Sequence, residues 1–444
     1  MMEFHVHRQI LRALKEMQQN MSVGTQRKEM RPISEHLAVL GQIREACRSA
    51  FSPQGQRRCM ELLDRLIDAV ERLGRKRVPG RKQRDDCVRR MGELHAQLSS
   101  EKQEVKKAMV FLPYSAVMWD SMESIWKAAR RDAVHCSSYV IPIPYCEKNP
   151  DGSPGAWHCD IGRFPAEVPV SRWEDWNLEE LHPDVIVIHY PYEEGNAVVS
   201  VDGRFYPRNL RNCTDRLVHV PYFVFRDADM KKETIVKGRV AELARVPGVE
   251  WADMTAVQSE AVRQAYLSVL EERHGREYWE SRILALGSPK IDRVRSTTRE
   301  NTPLPEEWRR IIGGRKVVLY NTSISVQLDD SDVYLGKFRD TMEAFRRNDK
   351  VAFWWRPHPL LMATIRAMCP EILGDYQQIV ETYKKEGWGI YDDTEDMYRA
   401  IAWSDAFYGD GSSVAILYGM TGKPVLAQNY TVRCKRNLRG KANG

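Results

Sequence analysis

The amino-acid sequence predicts an α/β protein: two units, each an open parallel sheet covered by helices, preceded by an α-helical N-terminal region. Three observations predict it. From Met109 onward, short apolar runs of strand length alternate with amphipathic helical stretches. Before that point, apolar residues recur only with helical period. At 444 residues the chain is also too long for one ordinary core.

The helical region is expected over 1–107. Leu62, Leu63, Leu66, Ile67, Val70 and Leu73 form one stripe, and Val88, Met91, Leu94 and Leu98 form another. Val78-Pro79-Gly80 separates them, so an antiparallel hairpin is expected. Packing on the main body or self-association are the roles it suggests, with docking on a membrane surface the weaker one.

The first sheet unit is expected over 108–250. Its strands are Met109–Pro113, Tyr139–Ile143, Asp184–His189 and Leu217–Pro221, with a helix from Ser121 to Arg131. The Gly/Pro/Asn-rich stretch from Glu147 to Pro169 reads as a long loop. The second unit is expected over 251–444. Thr255–Val257 is a strand, and Ser259 caps a helix that runs to about His274. Further strands are Arg282–Leu286, Lys316–Tyr320, Val351–Trp355, Ala406–Tyr408 and Pro424–Leu426, with helices at Met397–Trp403 and Ser412–Tyr418. Two open sheets in one chain are expected to leave a cleft, with ligands at the strand C-terminal ends.

Composition narrows the function classes. Hydrophobic residues make up 43% and charged residues 29%, the range of soluble globular proteins. The net charge of +6, concentrated in the first hundred residues and the last dozen, is too mild for a dedicated nucleic-acid binder. It suits a protein that handles phosphates or rests near an anionic membrane, and a solvated basic surface explains the N-terminal charge as well. The nine cysteines include no C-x-x-C pair, which argues against a zinc site, and they read as reduced thiols. No apolar run approaches the ~20 residues of a membrane span, and the N-terminus lacks a signal-peptide core. A cytoplasmic location is expected, with any membrane contact peripheral, at the inner face of the plasma membrane.

Two motifs carry chemistry. In Tyr408-Gly409-Asp410-Gly411-Ser412-Ser413 a strand ends in a tight turn and a helix begins at two serines. Such a helix start offers N–H groups and hydroxyls to a phosphate, although Ser and Asp are also ordinary capping residues. Arg356-Pro357-His358-Pro359 follows the Val351–Trp355 run. Arg356 could grip a phosphate with two parallel hydrogen bonds, and His358 could donate to a diphosphate oxygen or protonate a leaving phosphate. In the first unit, His189 ends an apolar strand before Tyr190-Pro191-Tyr192-Glu193-Glu194-Gly195-Asn196, where an acceptor-side base would sit. A strand-end histidine satisfied by the backbone fits that position at least as well. His182 and His219 are weaker candidates. Asp120, Glu123 and Asn196 are candidate acceptor-side groups, and the two acids could equally be ordinary helix-start residues. Trp354-Trp355 and Tyr190 to Tyr192 could stack a base, but core packing is the commoner use. P-loop, HExxH and GxSxG motifs are absent. Asp329-Asp330-Ser331-Asp332 reads as a loop or helix start, not a metal motif.

Gly287-x-Pro289-Lys290-x-Asp292, Arg356-x-His358-Pro359, Ser404-Asp405, Asp410-x-Ser412-Ser413 and Gly422-Lys423-Pro424 together resemble the CDP-glycerol glycerophosphotransferases, the bacterial teichoic-acid primases and polymerases. The resemblance is sharpest from about Asp253 to Leu426 and weaker from Met109 to Phe225. It implies a GT-B architecture of two Rossmann-like domains facing a cleft. It implies transfer of glycerol phosphate, or a related alditol phosphate, from a CDP-linked donor to a hydroxyl of a cell-surface polymer or lipid-linked glycan precursor, with release of CMP. His189 and His358 are then the catalytic candidates. Arg356, Asp410, Gly411, Ser412, Ser413, Pro289 and Lys290 are the donor and phosphate positions. The family's base lies in a His-Gly pair, whereas His189 is followed by Tyr190, and the family's Asp-Tyr-Ser-Ser turn is Asp-Gly-Ser-Ser here. No metal and no other cofactor is implied. The expected partners are the CDP-linked donor and a glycan or polyol-phosphate acceptor, with no nucleic acid. A homo-oligomer through the N-terminal helices is a further expectation. Two alternatives stay open: a GT-B glycosyltransferase using a nucleotide sugar, and a non-catalytic scaffold.

Overall fold

The computed structural model describes residues 2–23, 32–50, 53–75, 80–100, 105–149, 152–193, 195–196, 199–323, 331–358, 361–394 and 396–428. These fall into two compact units. Unit 1 takes Met1–Trp119, Ile125–His219 and Arg245–Thr255, and unit 2 takes Asp120–Ser124, Val220–Ala244 and Ala256–Gly444.

Unit 1 begins with four helices: α1 (Phe4–Val23), α2 (Ile33–Ala50), α3 (Pro53–Gly74) and α4 (Arg81–Ser100). The α3 and α4 stripes legible in the sequence are buried at Leu63, Leu66, Val70, Leu73, Met91, Leu94 and Leu98. The sequence marked only these two helices. Yet α1 and α2 carry the same three-to-four spacing in Ile10, Leu14, Met17 and Met21, and in Leu40, Ile43 and Cys47, all in one core. Helix α1 packs on α4, α2 on α3, and α3 on α4. Gly80 is described, while Val78 and Pro79 lie outside the described residues.

The strands of unit 1 are β1 (Lys107–Phe111), β2 (Cys136–Val140), β3 (Tyr145–Lys148), β4 (Pro154–His158), β5 (Val185–Ile188), β6 (Val199–Val201), β7 (Arg216–His219) and β8 (Met254–Val257), whose last two residues group with unit 2. The main sheet runs β2-β1-β5-β7-β8, parallel at every pairing. Its first strand is internal, with later strands added on both sides, as in doubly wound α/β folds. Helix α5 (Glu123–Arg131) is the first crossover. Where a long loop was expected from Glu147 to Pro169, β3 and β4 pair antiparallel, with β6 on the other side of β3. Turn-forming residues hid this strand. Gly155 lies in β4 because a Cβ there would come within 2.5 Å of the Glu147 carbonyl oxygen, and Gly152 turns the chain with φ +82°.

Unit 2 contains β9 (Ile283–Ala285) and a parallel sheet of β10 (Lys316–Thr322), β11 (Val351–Pro357), β12 (Ile390–Tyr391), β13 (Ala406–Asp410) and β14 (Val425–Gln428). The order is β12-β11-β10-β13-β14. Counted within the sheet this is 3-2-1-4-5, the order of Rossmann folds. Its helices include α6 (Glu260–His274), α7 (Pro289–Ser296), α8 (Ser331–Arg346), α9 (Leu361–Met368), α10 (Leu373–Glu386), α11 (Met397–Trp403) and α12 (Ser413–Gly419). As the sequence predicts, Ser259 caps α6, its Oγ accepting the Val262 N–H. The continuous apolar run of β11 is buried on both faces. Trp354 packs edge-on against Trp308, while Trp355 packs against Tyr383 and Phe338. These tryptophans therefore form core, and so does Tyr190, fully buried with its hydroxyl donating to the Phe205 carbonyl at 2.6 Å.

The fold is thus α/β with two doubly wound parallel sheets behind a helical N-terminal region. Among the described residues, no helix is long and apolar enough to cross a membrane.

Candidate functional site

In a 3-2-1-4-5 sheet the chain leaves the central strand in opposite directions on its two sides, and the crevice between those crossovers is where ligands bind. In unit 2 that position is the C-terminal end of β10, at Asn321-Thr322, between β11 and β13. Both residues are buried. Asn321 uses both ends of its amide. Its Nδ2 donates to the Arg356 carbonyl at 2.9 Å, and its Oδ1 accepts from Ser412 Oγ at 3.0 Å. The Thr322 carbonyl accepts the His358 N–H at 3.0 Å. Two motifs far apart in sequence are thereby tied to one strand end. Gly409 makes the approach feasible: a Cβ there would fall 2.2 Å from the Asn321 carbonyl oxygen.

Around this point the charged groups pair with one another. Arg356 is buried, with Nη1 2.8 Å from Asp392 and Nη2 donating to the Thr394 carbonyl at 2.7 Å. Asp392 also accepts from the Trp354 indole at 3.0 Å. Asp410 is buried, accepts the Ser323 N–H at 2.7 Å and sits 3.3 Å from Lys337 Nζ. A carboxylate so held shapes the turn and does not itself attract a phosphate. Ser412 caps α12, accepting the Ala415 N–H, while Gly411 and Ser413 are exposed. His358 is half-buried. Burial first, and then the neighbouring Arg356 charge, hold its imidazole below the usual histidine range, so it is neutral at pH 7. It lines a cavity of about 350 Å3 with Leu361, Tyr376, Lys384 and Tyr391. Pro359, Asp329 and Asp330 lie outside the described residues, and Ser331 and Asp332 open α8.

The remaining motif residues have structural duties as well. Pro289 and Lys290 open α7. Lys290 Nζ lies 3.2 Å from Asp120, which also accepts the Tyr398 hydroxyl at 2.5 Å. Glu123 pairs with Arg293 at 3.6 Å. Asp120 and Glu123, proposed from sequence for an acceptor, are thus engaged with α7 and its surroundings within unit 2. Lys423 donates to the carbonyls of Ile401, Ala402 and Ser404, closing the end of α11, and Asp405 accepts the Val317 N–H at 2.9 Å.

In unit 1, His189 is fully buried. Its Nε2 accepts the Tyr114 N–H at 3.3 Å, which leaves the ring proton on Nδ1. Asn196 Oδ1 accepts the Val199 N–H and shapes the turn before β6. His182 ends a short helix in the left-handed region and lies 3.2 Å from Asp215. His219 is fully buried, and neither ring nitrogen has a hydrogen-bond partner among the described residues. Burial pushes its pKa down to about 3.

Asn321, Lys337 and Asp392 were not among the residues singled out from sequence. Asn321 carries a faint signal as the first polar residue after an apolar strand run. Lys337 pairs across 73 residues and has none.

No family model matches the chain, and no curated protein sequence matches it. Among solved structures, it is similar to a putative UDP-N-acetylglucosamine 2-epimerase from Listeria monocytogenes, at 13% identity over 72% of this chain and 79% of that one, with TM-score 0.43. It is similar to a variant of the wall teichoic acid polymerase TagF, at 14% identity over 86% and 81% of the two chains, with TM-score 0.42. It is also similar to the UDP-GlcNAc 2-epimerase of Methanocaldococcus jannaschii in complex with UDP-GlcNAc and UDP, at 11% identity over 72% and 83%, with TM-score 0.42. At this identity and superposition the likenesses assign the chain no activity, and its fold class stands on its own strand order.

Proposed function

We propose that the chain is a GT-B transferase that moves glycerol phosphate, or a related alditol phosphate, from a CDP-activated donor to a hydroxyl of a cell-surface polymer or lipid-linked glycan precursor, releasing CMP. The reading rests on one observation above all: Asn321-Thr322, at the switch point of the unit 2 sheet, holds the His358 and Ser412 motifs together. The sequence motifs matching the CDP-glycerol glycerophosphotransferases supply the donor's identity.

In the proposed reaction the donor diphosphate lies against Ser412, Ser413 and the start of α12, whose first-turn N–H groups lack helical acceptors. His358, neutral at pH 7, donates one ring N–H to a phosphate oxygen and is no strong acid. The acceptor oxygen attacks the phosphorus bearing the alditol. The bond from that phosphorus to the bridging oxygen breaks, and CMP leaves with the electron pair. The attacking hydroxyl gives its proton to a base. We propose His189 for this role, which requires the Tyr114 loop to move off Nε2, because that lone pair is occupied here. The reaction is proposed to be cytoplasmic, at the inner face of the membrane, and to proceed without a resident metal.

CMP release from CDP-glycerol, CDP-ribitol and a UDP-sugar tests the reading. Turnover is expected with a CDP-alditol alone, and His358→Ala is expected to lower it by about 100-fold or more. Turnover of the UDP-sugar alone, or an unchanged His358→Ala rate, would overturn it.

A further inference from the structure

The switch-point end of the unit 2 sheet holds two buried ion pairs to which the proposed reaction gives no role. Arg356 pairs with Asp392 on the β11 side. On the β13 side, Lys337 of α8 reaches Asp410, its Nζ 3.3 Å from Oδ1, with the two side chains 6% and 2% exposed. Stability alone accounts poorly for such a pair. Taking two charges out of water can cost as much as their attraction returns, and apolar side chains of similar volume often hold a fold as well. The turn does not need the charge of Asp410 either. Its Oδ2 accepts the Ser323 N–H at 2.7 Å, a bond that an amide oxygen would also make.

What Lys337 does change is the field at the turn. Asp410 lies two residues before Ser412, the residue that caps α12. An uncancelled carboxylate there would oppose an anion at the start of α12, and between buried groups that opposition is little screened. Arg356 does not cancel it, because Asp392 already takes up that guanidinium at 2.8 Å.

We propose that Lys337 is a positioning residue for the donor diphosphate. It acts through Asp410, cancelling the carboxylate charge beside the Ser412-Ser413 helix start so that the turn accepts an anion. The inference rests on the donor reading above. It makes the two partners of one ion pair act with opposite sign on ligand affinity. Loss of Lys337 leaves a bare negative charge beside the diphosphate, whereas loss of the Asp410 charge removes a negative one. A pair that only held the fold would respond alike to either loss.

The test is a calorimetric titration of CDP into the full chain at about pH 8, where carboxylates are ionised. Wild type, Lys337→Met, Asp410→Asn and the double variant are compared, with circular dichroism to check that each folds. Lys337→Met is expected to weaken CDP binding about tenfold or more. Asp410→Asn is expected to bind CDP at least as tightly as wild type, and adding it to Lys337→Met is expected to restore most of the lost affinity. If Lys337→Met does not fold, Asp410→Asn and the double variant, which holds no bare buried charge, carry the test. Weaker CDP binding in Asp410→Asn, unchanged binding in a folded Lys337→Met, or a double variant that binds about tenfold or more below wild type would overturn the role of Lys337 and leave the donor reading standing. A wild-type chain that binds no CDP would overturn the donor reading and this inference with it.

Discussion

Asn321 ties β11 and the Ser412 cap to β10 with one amide, and Gly409 lets β13 come close enough for that to happen. Gly409→Ala would drive a methyl group into the Asn321 carbonyl from β13, where neither backbone can yield. The expected cost is about 1–3 kcal/mol, read as a lower midpoint in urea unfolding. His219 makes a different prediction. Gly248 presses on its ring, and a Cβ at 248 would sit 2.8 Å from it. Folded, His219 stays neutral down to about pH 3; unfolded, it takes a proton near the ordinary 6.5. The unfolded state therefore binds more protons between these values, and stability must fall as pH drops through that window. From about pH 7 to pH 5 the contribution is about 2 kcal/mol. In urea unfolding at both pH values, His219→Leu should remove that part of the loss; an undiminished slope would show that other groups carry it. Residue identity was legible in the sequence at several of these places, while side-chain engagement was not. Arg356 and Asp410 stand at strand ends as expected, but Asp392 and Lys337, their partners, come from distant segments that no local pattern links to them.

Among the elements, those with a strong period and a clear cap were readable. Met397–Trp403 is a helix with the expected bounds, and Ser259 and Ser412 cap the helices they precede. Apart from the two-residue β12, which no apolar run predicts, the strands of both main sheets lie within a few residues of the runs that predict them, because a parallel strand buried on both faces must be apolar throughout. The three-stranded β4-β3-β6 sheet was not readable: β4 is largely exposed, so it has no apolar pattern, and Pro154-Gly155 opens it. Helices α1 and α2 fall within the region expected to be helical, and their stripes, at Ile10, Leu14, Met17 and Met21 and at Leu40, Ile43 and Cys47, were not singled out. The four N-terminal helices nonetheless share one core, and its centre should be sensitive. Leu66→Ala, at a fully buried position of α3, is expected to cost about 2–5 kcal/mol, measured by chemical denaturation. A loss below about 1 kcal/mol would mean that the helices do not pack as described.

For the molecule as a whole, alternating strands and helices announced two α/β units, but strand order is a long-range property and came only from the structure. That order matters most for function, since 3-2-1-4-5 fixes the β10 end as the switch point of unit 2. The central claim is that this strand end holds a CDP-linked donor. Calorimetric titration of CDP-glycerol into the wild-type chain and into Asn321→Ala tests it most directly. The account predicts one saturable site in the wild type, weakened about tenfold or more in the variant, which loses the tie between the His358 and Ser412 motifs. No binding to the wild type, or equal affinity in a folded Asn321→Ala chain, would contradict it.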